Sequence, residues 1–299
     1  AGFGRGPLRV QQPALPVSTL GEGPVWSDRD GCLYYVDIPN RRVQAYTPST
    51  GQHRAWTLPT FVGSLGECKS GGLIVSLGDR VVRFDPQKGL KSLEEFCVLE
   101  ADRPLNRLND GKVDPWGRFW VGSVRIAEDA SEGQLWCVDP NGTARRMRDN
   151  IGCSNSLAFD SARGHVYFAD STKGLIERAD FDAAHQNIGA FQPFAKAGKG
   201  APDGSCTDAA GYLWNAEWGG HRICRYAPDG SLERVLDLPI SRPSCCTFGG
   251  PNYRTLFVTT ARYNMTPAEL AQDPNAGALF SIELDDASIQ GLPADLFGI

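Results

Sequence analysis

Short runs of alternating apolar and polar residues, cut by turns rich in Asp, Gly and Pro, fill this chain from about residue 20 to residue 285. One unit reads GPVWSDRDGCLYYVDIPNRRVQAYTPSTG and begins near Gly23. Its grammar returns in GSLGECKSGGLIVSLGDRVVRFDPQKG from Gly63, LNDGKVDPWGRFWVGSV from Leu108 and NSLAFDSARGHVYFADSTKGLIERADFD from Asn155. It returns again in DGSCTDAAGYLWNAEWGGHRICRYAPDG from Asp203 and CCTFGGPNYRTLFVTTARYN from Cys245. An apolar run comes first, then a polar turn and a strand of aromatic and β-branched residues (LYYVD, RFWVG, HVYFAD, YLWNAE, TLFVTT). Two further alternating strands follow, joined by an Asn, Asp or Pro-Gly hairpin. Period-2 runs of this kind, recurring at about 40 residues, predict propeller blades.

The six units predict an all-β, six-bladed β-propeller with four-stranded blades. The sixth unit ends in GALFSIELD, and little follows that completes four strands. Residues 7–16, PLRVQQPALP, form an orphan strand before the first unit. That strand is expected to join the sixth blade and close the ring, leaving no open sheet edge. No linker interrupts the repeat, so residues 1–299 are expected to form one cooperative domain. Helical periodicity is confined to TPAELAQ, beginning at Thr266.

Composition changes this picture little. The 299 residues are 41% hydrophobic and 22% charged, with a formal net charge of −5, which disfavours a nucleic-acid partner. No apolar run reaches the length of a membrane span. The first residues, AGFGRGPLRV, lack the apolar core of a signal peptide, and no initiating Met precedes them. Nine cysteines, with no CxxC pair, read as buried free thiols of a reducing compartment, hence a cytoplasmic protein. A monomer or weak homo-oligomer is expected.

In a propeller the inner strand of each blade lines the central channel, so residues at one phase of the repeat converge. That rule selects Glu22, Asn109, Asn155 and Asp203, separated by 87, 46 and 48 residues. Each alone reads better as a turn residue; together at a matching phase they read as a site. Glu22, Asn155 and Asp203 offer hard oxygen ligands suited to Ca²⁺, Mg²⁺ or Mn²⁺. The four histidines, His53, His165, His185 and His221, lie off that phase, which disfavours a histidine-rich zinc site. Asp28, Asp114, Asp160 and Asp208 recur in the turn after the first strand and read as rim turn residues. Asp37 and Asp170, recurring after the second strand, read the same way.

LGEGPVW, RLNDGKVDPWGRFWVGS, NSLAFD, APDGSCTDAAGYLWNAEWGG and RPSCCTFGGPNYRTLFVTTAR resemble the gluconolactonase, regucalcin and luciferin-regenerating-enzyme family. The combination of GEGPxW with RxNDGKxDPxGRxWxG is specific. The resemblance implies a six-bladed propeller in which Glu22, Asn155 and Asp203 bind one divalent metal. Calcium is the first expectation, with Mg²⁺, Mn²⁺, Zn²⁺ or Fe²⁺ as alternatives. It also implies that Arg107 and Asn109 bind substrate; two residues apart on an extended chain, they share a side. Two departures stand out. Ser154 and Ser156 flank Asn155, where a typical member has Pro or a small residue before the Asn and Gly after it. The segment GSVRIAEDASEG makes Glu128 the candidate for the family's acidic substrate contact, with Arg125 beside it. The expected activity is metal-assisted hydrolysis of an aldonolactone, with Asp203 as general base and Trp218 and Tyr263 walling the pocket. A non-catalytic calcium- or ligand-binding propeller, or a hydrolase for another lactone or a phosphotriester, are the alternatives.

Overall fold

The computed structural model describes residues 8–182 and 187–299, so His185 lies outside the described residues. Six antiparallel sheets are arranged in a ring. Their inner strands are Gly21–Ser27, Val62–Glu67, Asn106–Val113, Ser154–Asp160, Ala201–Thr207 and Pro243–Gly249. Each inner strand packs against the next, and the sixth against the first. Four blades are four-stranded meanders; the sixth takes its outer strand from the N-terminus, and the fourth has a divided outer edge, Asn187–Ile188 and Gln192–Lys196.

The second strands Cys32–Asp37, Leu73–Leu77 and Leu213–Trp218 are rich in large apolar and β-branched residues because both of their faces are covered by neighbouring blades. The core is accordingly divided among the blade interfaces. Tyr34 and Val36 meet Leu65 and Val75 between the first and second blades. Trp120 and Leu135 meet Phe168 and Phe159 between the third and fourth. At the seam between sixth and first, Trp26 stacks on Phe257 at 5.7 Å with the planes 6° apart. Each such ring, once buried, contributes about 1.5–3 kcal/mol.

Closure follows the sequence expectation. Leu8–Gln11 pairs antiparallel with Phe280–Leu284, in register Leu8 to Leu284, as the outer strand of the sixth blade. The only α-helix among the described residues is Pro267–Gln272, opened by a capping box between Thr266 and Glu269. The turn carboxylates hold turns, but Asp114 and Asp208 are fully buried rather than set at an exposed rim. Asp114 accepts from the Trp116 and Arg118 amides at 2.8 and 3.0 Å and from Trp120 Nε1 at 2.8 Å. Asp208 does the same for Ala210, Tyr212 and Trp214. Each pins a core tryptophan to the turn before it.

The C-terminal residues, to which the repeat assigns no role, form a strap across the turns that end the inner strands. The Ala209 amide donates to Gln290 O at 2.8 Å, Phe297 N to Glu67 O at 2.7 Å and Gly298 N to Gly117 O at 3.0 Å. Phe297 is wholly buried, edge-on to Phe96. Among the described residues no helix is long and apolar enough to cross a membrane. All nine cysteines are free; seven are buried as expected, while Cys97 and Cys153 are partly exposed.

Candidate metal and substrate site

Every inner strand carries a register break at the same phase of the repeat. The breaks fall between Glu22 and Val25, Val62 and Ser64, Leu108 and Gly111, Asn155 and Ala158, Pro202 and Ser205, and Pro243 and Cys245. An extra residue bends the strand and re-aims the side chains on either side of it. The selected site residues lie on or beside four of these bulges, at one mouth of the channel. Ser156, following Asn155, has φ 63, a left-handed conformation that accounts for glycine in typical family members.

The bulges bring Glu22, Asn109, Asn155 and Asp203 together, all buried. Asn109 Nδ2 donates to Ser154 O at 2.9 Å and to Asn155 Oδ1 at 3.3 Å. Arg107, half-buried, donates from Nη1 to Asn109 Oδ1 at 2.9 Å. Asn215 on the neighbouring strand donates to Asp203 O at 2.9 Å and Ser205 Oγ at 2.8 Å, which holds the bulge open. Ser171 Oγ lies 2.8 Å from the Asn155 amide and donates to Pro202 O at 2.6 Å, tying the fourth blade to the strand of Asp203.

Burial raises the Glu22 carboxyl well above its ordinary range, and the charge of Asp203 adds to the effect. Burial likewise lifts Asp203 to about 8, helped by the charge of Asp110. The two carboxyls share a hydrogen bond, which requires a proton on one of them. The Asn155 amide atom that faces them stands 3.1 Å from Asp203 Oδ1. Read as nitrogen it donates there; read as oxygen it accepts from Asn109 Nδ2 at 3.3 Å and faces the two carboxyls as a third oxygen. Such a donor set fits an oxygen-seeking cation, which replaces the shared proton. Among the described residues no three His, Cys, Asp or Glu side chains form a metal-holding group; this set has two carboxylates and an amide.

Glu128 is exposed, in a turn with φ 54, and its charge acts on Arg107, Cys153 and Asp203 from the mouth. Arg125 beside it pairs instead with Asp129 at 2.5 Å. The Arg107 guanidinium lies 5.9 Å from the Phe61 ring centre, and Tyr263 packs, partly buried, against the core of the first two blades. Trp218 lies under Arg242 at 5.2 Å. His53 and His165 lie in strands away from the inner phase, and His221 in a turn.

Two channel residues were missed by the phase rule. Asp110 is buried next to Asn109, takes the Leu157 amide at 3.3 Å, and is raised to about 6 by burial, against the lowering effect of Lys112. Lys112 reaches from the third blade to donate to Ser205 O at 2.6 Å. Strict alternation sends Asp110 to the face opposite Asn109, and the bulge between Leu108 and Gly111 cancels that alternation. The available signal was glycine inside a strand, as at Gly111 and Gly204.

Residues 20–262 match the family described as SMP-30/Gluconolactonase/LRE-like region. The chain belongs to that family. Its SMP-30/gluconolactonase relatives match over nearly the whole length. It is 35% identical over 278 residues to 6-deoxy-6-sulfogluconolactonase of Pseudomonas putida, covering 92% of this chain and 94% of that protein. It is 32% identical over 291 residues to regucalcin of Danio rerio, covering 96% and 97%. Among solved structures it is similar to one described as a calcium-binding protein, regucalcin, from Agrobacterium tumefaciens. There the TM-score is 0.89 and the identity 26%, with 95% of each chain covered.

Proposed function

We propose that this member of the SMP-30/gluconolactonase family hydrolyses a sugar lactone to the open-chain acid with the help of one divalent metal, calcium first. The observation that carries the reading is the buried meeting of Glu22, Asn155 and Asp203 at one channel mouth, with Arg107 and Asn109 alongside. Relatives named for lactone hydrolysis and for calcium binding support it.

Glu22, Asn155 and Asp203 would hold the ion, which when bound supplies a Lewis acid for the lactone carbonyl and its developing negative charge. Asp203 takes the proton of the attacking water, and its inward aim is fixed by Asn215. Asn109, oriented by Arg107, would present its amide, and Arg107 its guanidinium, to ring hydroxyls of the substrate. Glu128 reaches the outer end of the substrate, while Phe61 covers Arg107 from the side.

A panel of aldonolactones, including a 6-sulfo member, tests this by proton release with calcium and with chelator. Acceleration of at least one lactone, lost on chelation and regained with calcium, is expected. Calcium-loaded protein that accelerates none of them overturns hydrolysis in favour of a binding propeller.

A further inference from the structure

Lys112 does no work in the hydrolysis described above, yet its side chain crosses the channel beneath the site. It leaves the third-blade strand two residues after Asp110 and donates to the carbonyl of Ser205, two residues after Asp203. Among the described residues that contact at 2.6 Å is its hydrogen bond, and no carboxylate pairs with it directly. On its other side is a cavity of about 320 Å³ at the opposite channel mouth, lined also by Val113, Cys206 and Asp295. The ammonium is thus fixed between the metal-facing carboxyls and the strap-covered end.

Glu22, Asp110 and Asp203 bring three carboxylates to this part of the channel, one more than a divalent ion neutralises. We infer that Lys112 is a specificity-determining residue of the metal site: its anchored ammonium offsets Asp110, so that the channel carries the net charge matched by one divalent ion. The inference rests on the metal reading above. The lowering effect of Lys112 on the Asp110 carboxyl agrees with it. A fixed positive charge repels a bound ion in proportion to the ion's own charge. Removing the ammonium therefore tightens every cation, and a trivalent ion most. A tenfold gain for calcium corresponds to roughly thirtyfold for a lanthanide at the same position.

The test is calorimetric titration with Ca²⁺ and Tb³⁺ of the wild type, Lys112→Met, Lys112→Arg, Asp110→Asn and the double variant Asp110→Asn/Lys112→Met. Lys112→Met is expected to raise the preference for Tb³⁺ over Ca²⁺ about threefold or more, and Lys112→Arg to leave it unchanged. Asp110→Asn, which keeps an acceptor for the Leu157 amide, is expected to lower the preference. The double variant returns it toward the wild-type value. Should Lys112→Met fail to fold, Lys112→Gln takes its place, with the same gain in preference expected. A preference unmoved in the folded variants, with calcium still binding the wild type, overturns the role of Lys112 alone. A wild type that binds neither ion overturns the metal reading itself.

Discussion

At Asp203, burial and the charge of Asp110 favour a proton up to about pH 8 when no cation is present. In the unfolded chain the same carboxyl ionises near pH 4. Between those values the native state holds more protons than the unfolded one. Metal-free stability therefore falls as pH rises through the window, and calcium binding, which expels the proton, tightens over it. Asp203→Asn removes both the titration and the general base. Turnover should drop about 10²–10⁴-fold with calcium bound, and the pH dependence of calcium affinity should flatten. Near-normal turnover at confirmed calcium occupancy would sink the base assignment. Glu22, Asn155 and Asp203 were legible because repeat phase alone carries residues of different blades to one mouth. Asp110 and Lys112 were not, since their positions depend on a bulge that no residue type announces unambiguously.

Strands carry this site through their irregularities. The Asp203–Gly204 bulge leaves no room for a side chain, because a Cβ on Gly204 would meet Cys245 Sγ at 2.2 Å and Cys245 Cα at 2.9 Å. Overpacking of this kind costs about 1–3 kcal/mol. Gly204→Ala should lose that much in denaturant unfolding, and turnover should fall further because Asp203 is displaced with the backbone. Gly189→Ala is the control: the nearest atom to its Cβ is 3.7 Å away, an ordinary contact, so stability should move by under about 0.5 kcal/mol. A Gly204→Ala protein as stable and active as the control would show that the bulge is soft and does not position Asp203. The strands themselves were readable from alternation. Their bulges were visible only as glycines within strands, a signal that gives presence without direction.

Across the whole molecule, the ring depends on how its first and last blades are joined. The period of the repeat made six blades countable, and a sixth unit one strand short predicted the partner that Leu8–Gln11 supplies. The C-terminal strap left no such trace, because it is held by main-chain bonds to remote turns rather than by a side-chain pattern. If the blades unfold as one cooperative unit, loss of the closing strand is felt everywhere. Removing residues 1–11 exposes the edge of Phe280–Leu284 and leaves the seam to side-chain packing such as Trp26 on Phe257. The shortened protein should melt in a single transition several degrees lower and aggregate in proportion to its concentration, by calorimetry and light scattering. Calcium should recover part of the loss, because the ion's proposed ligands come from the first, fourth and fifth blades and its binding favours only the closed ring. Two separate transitions would instead mean that blades fold in independent groups. An unchanged melting temperature would mean that interblade packing closes the ring without the strand.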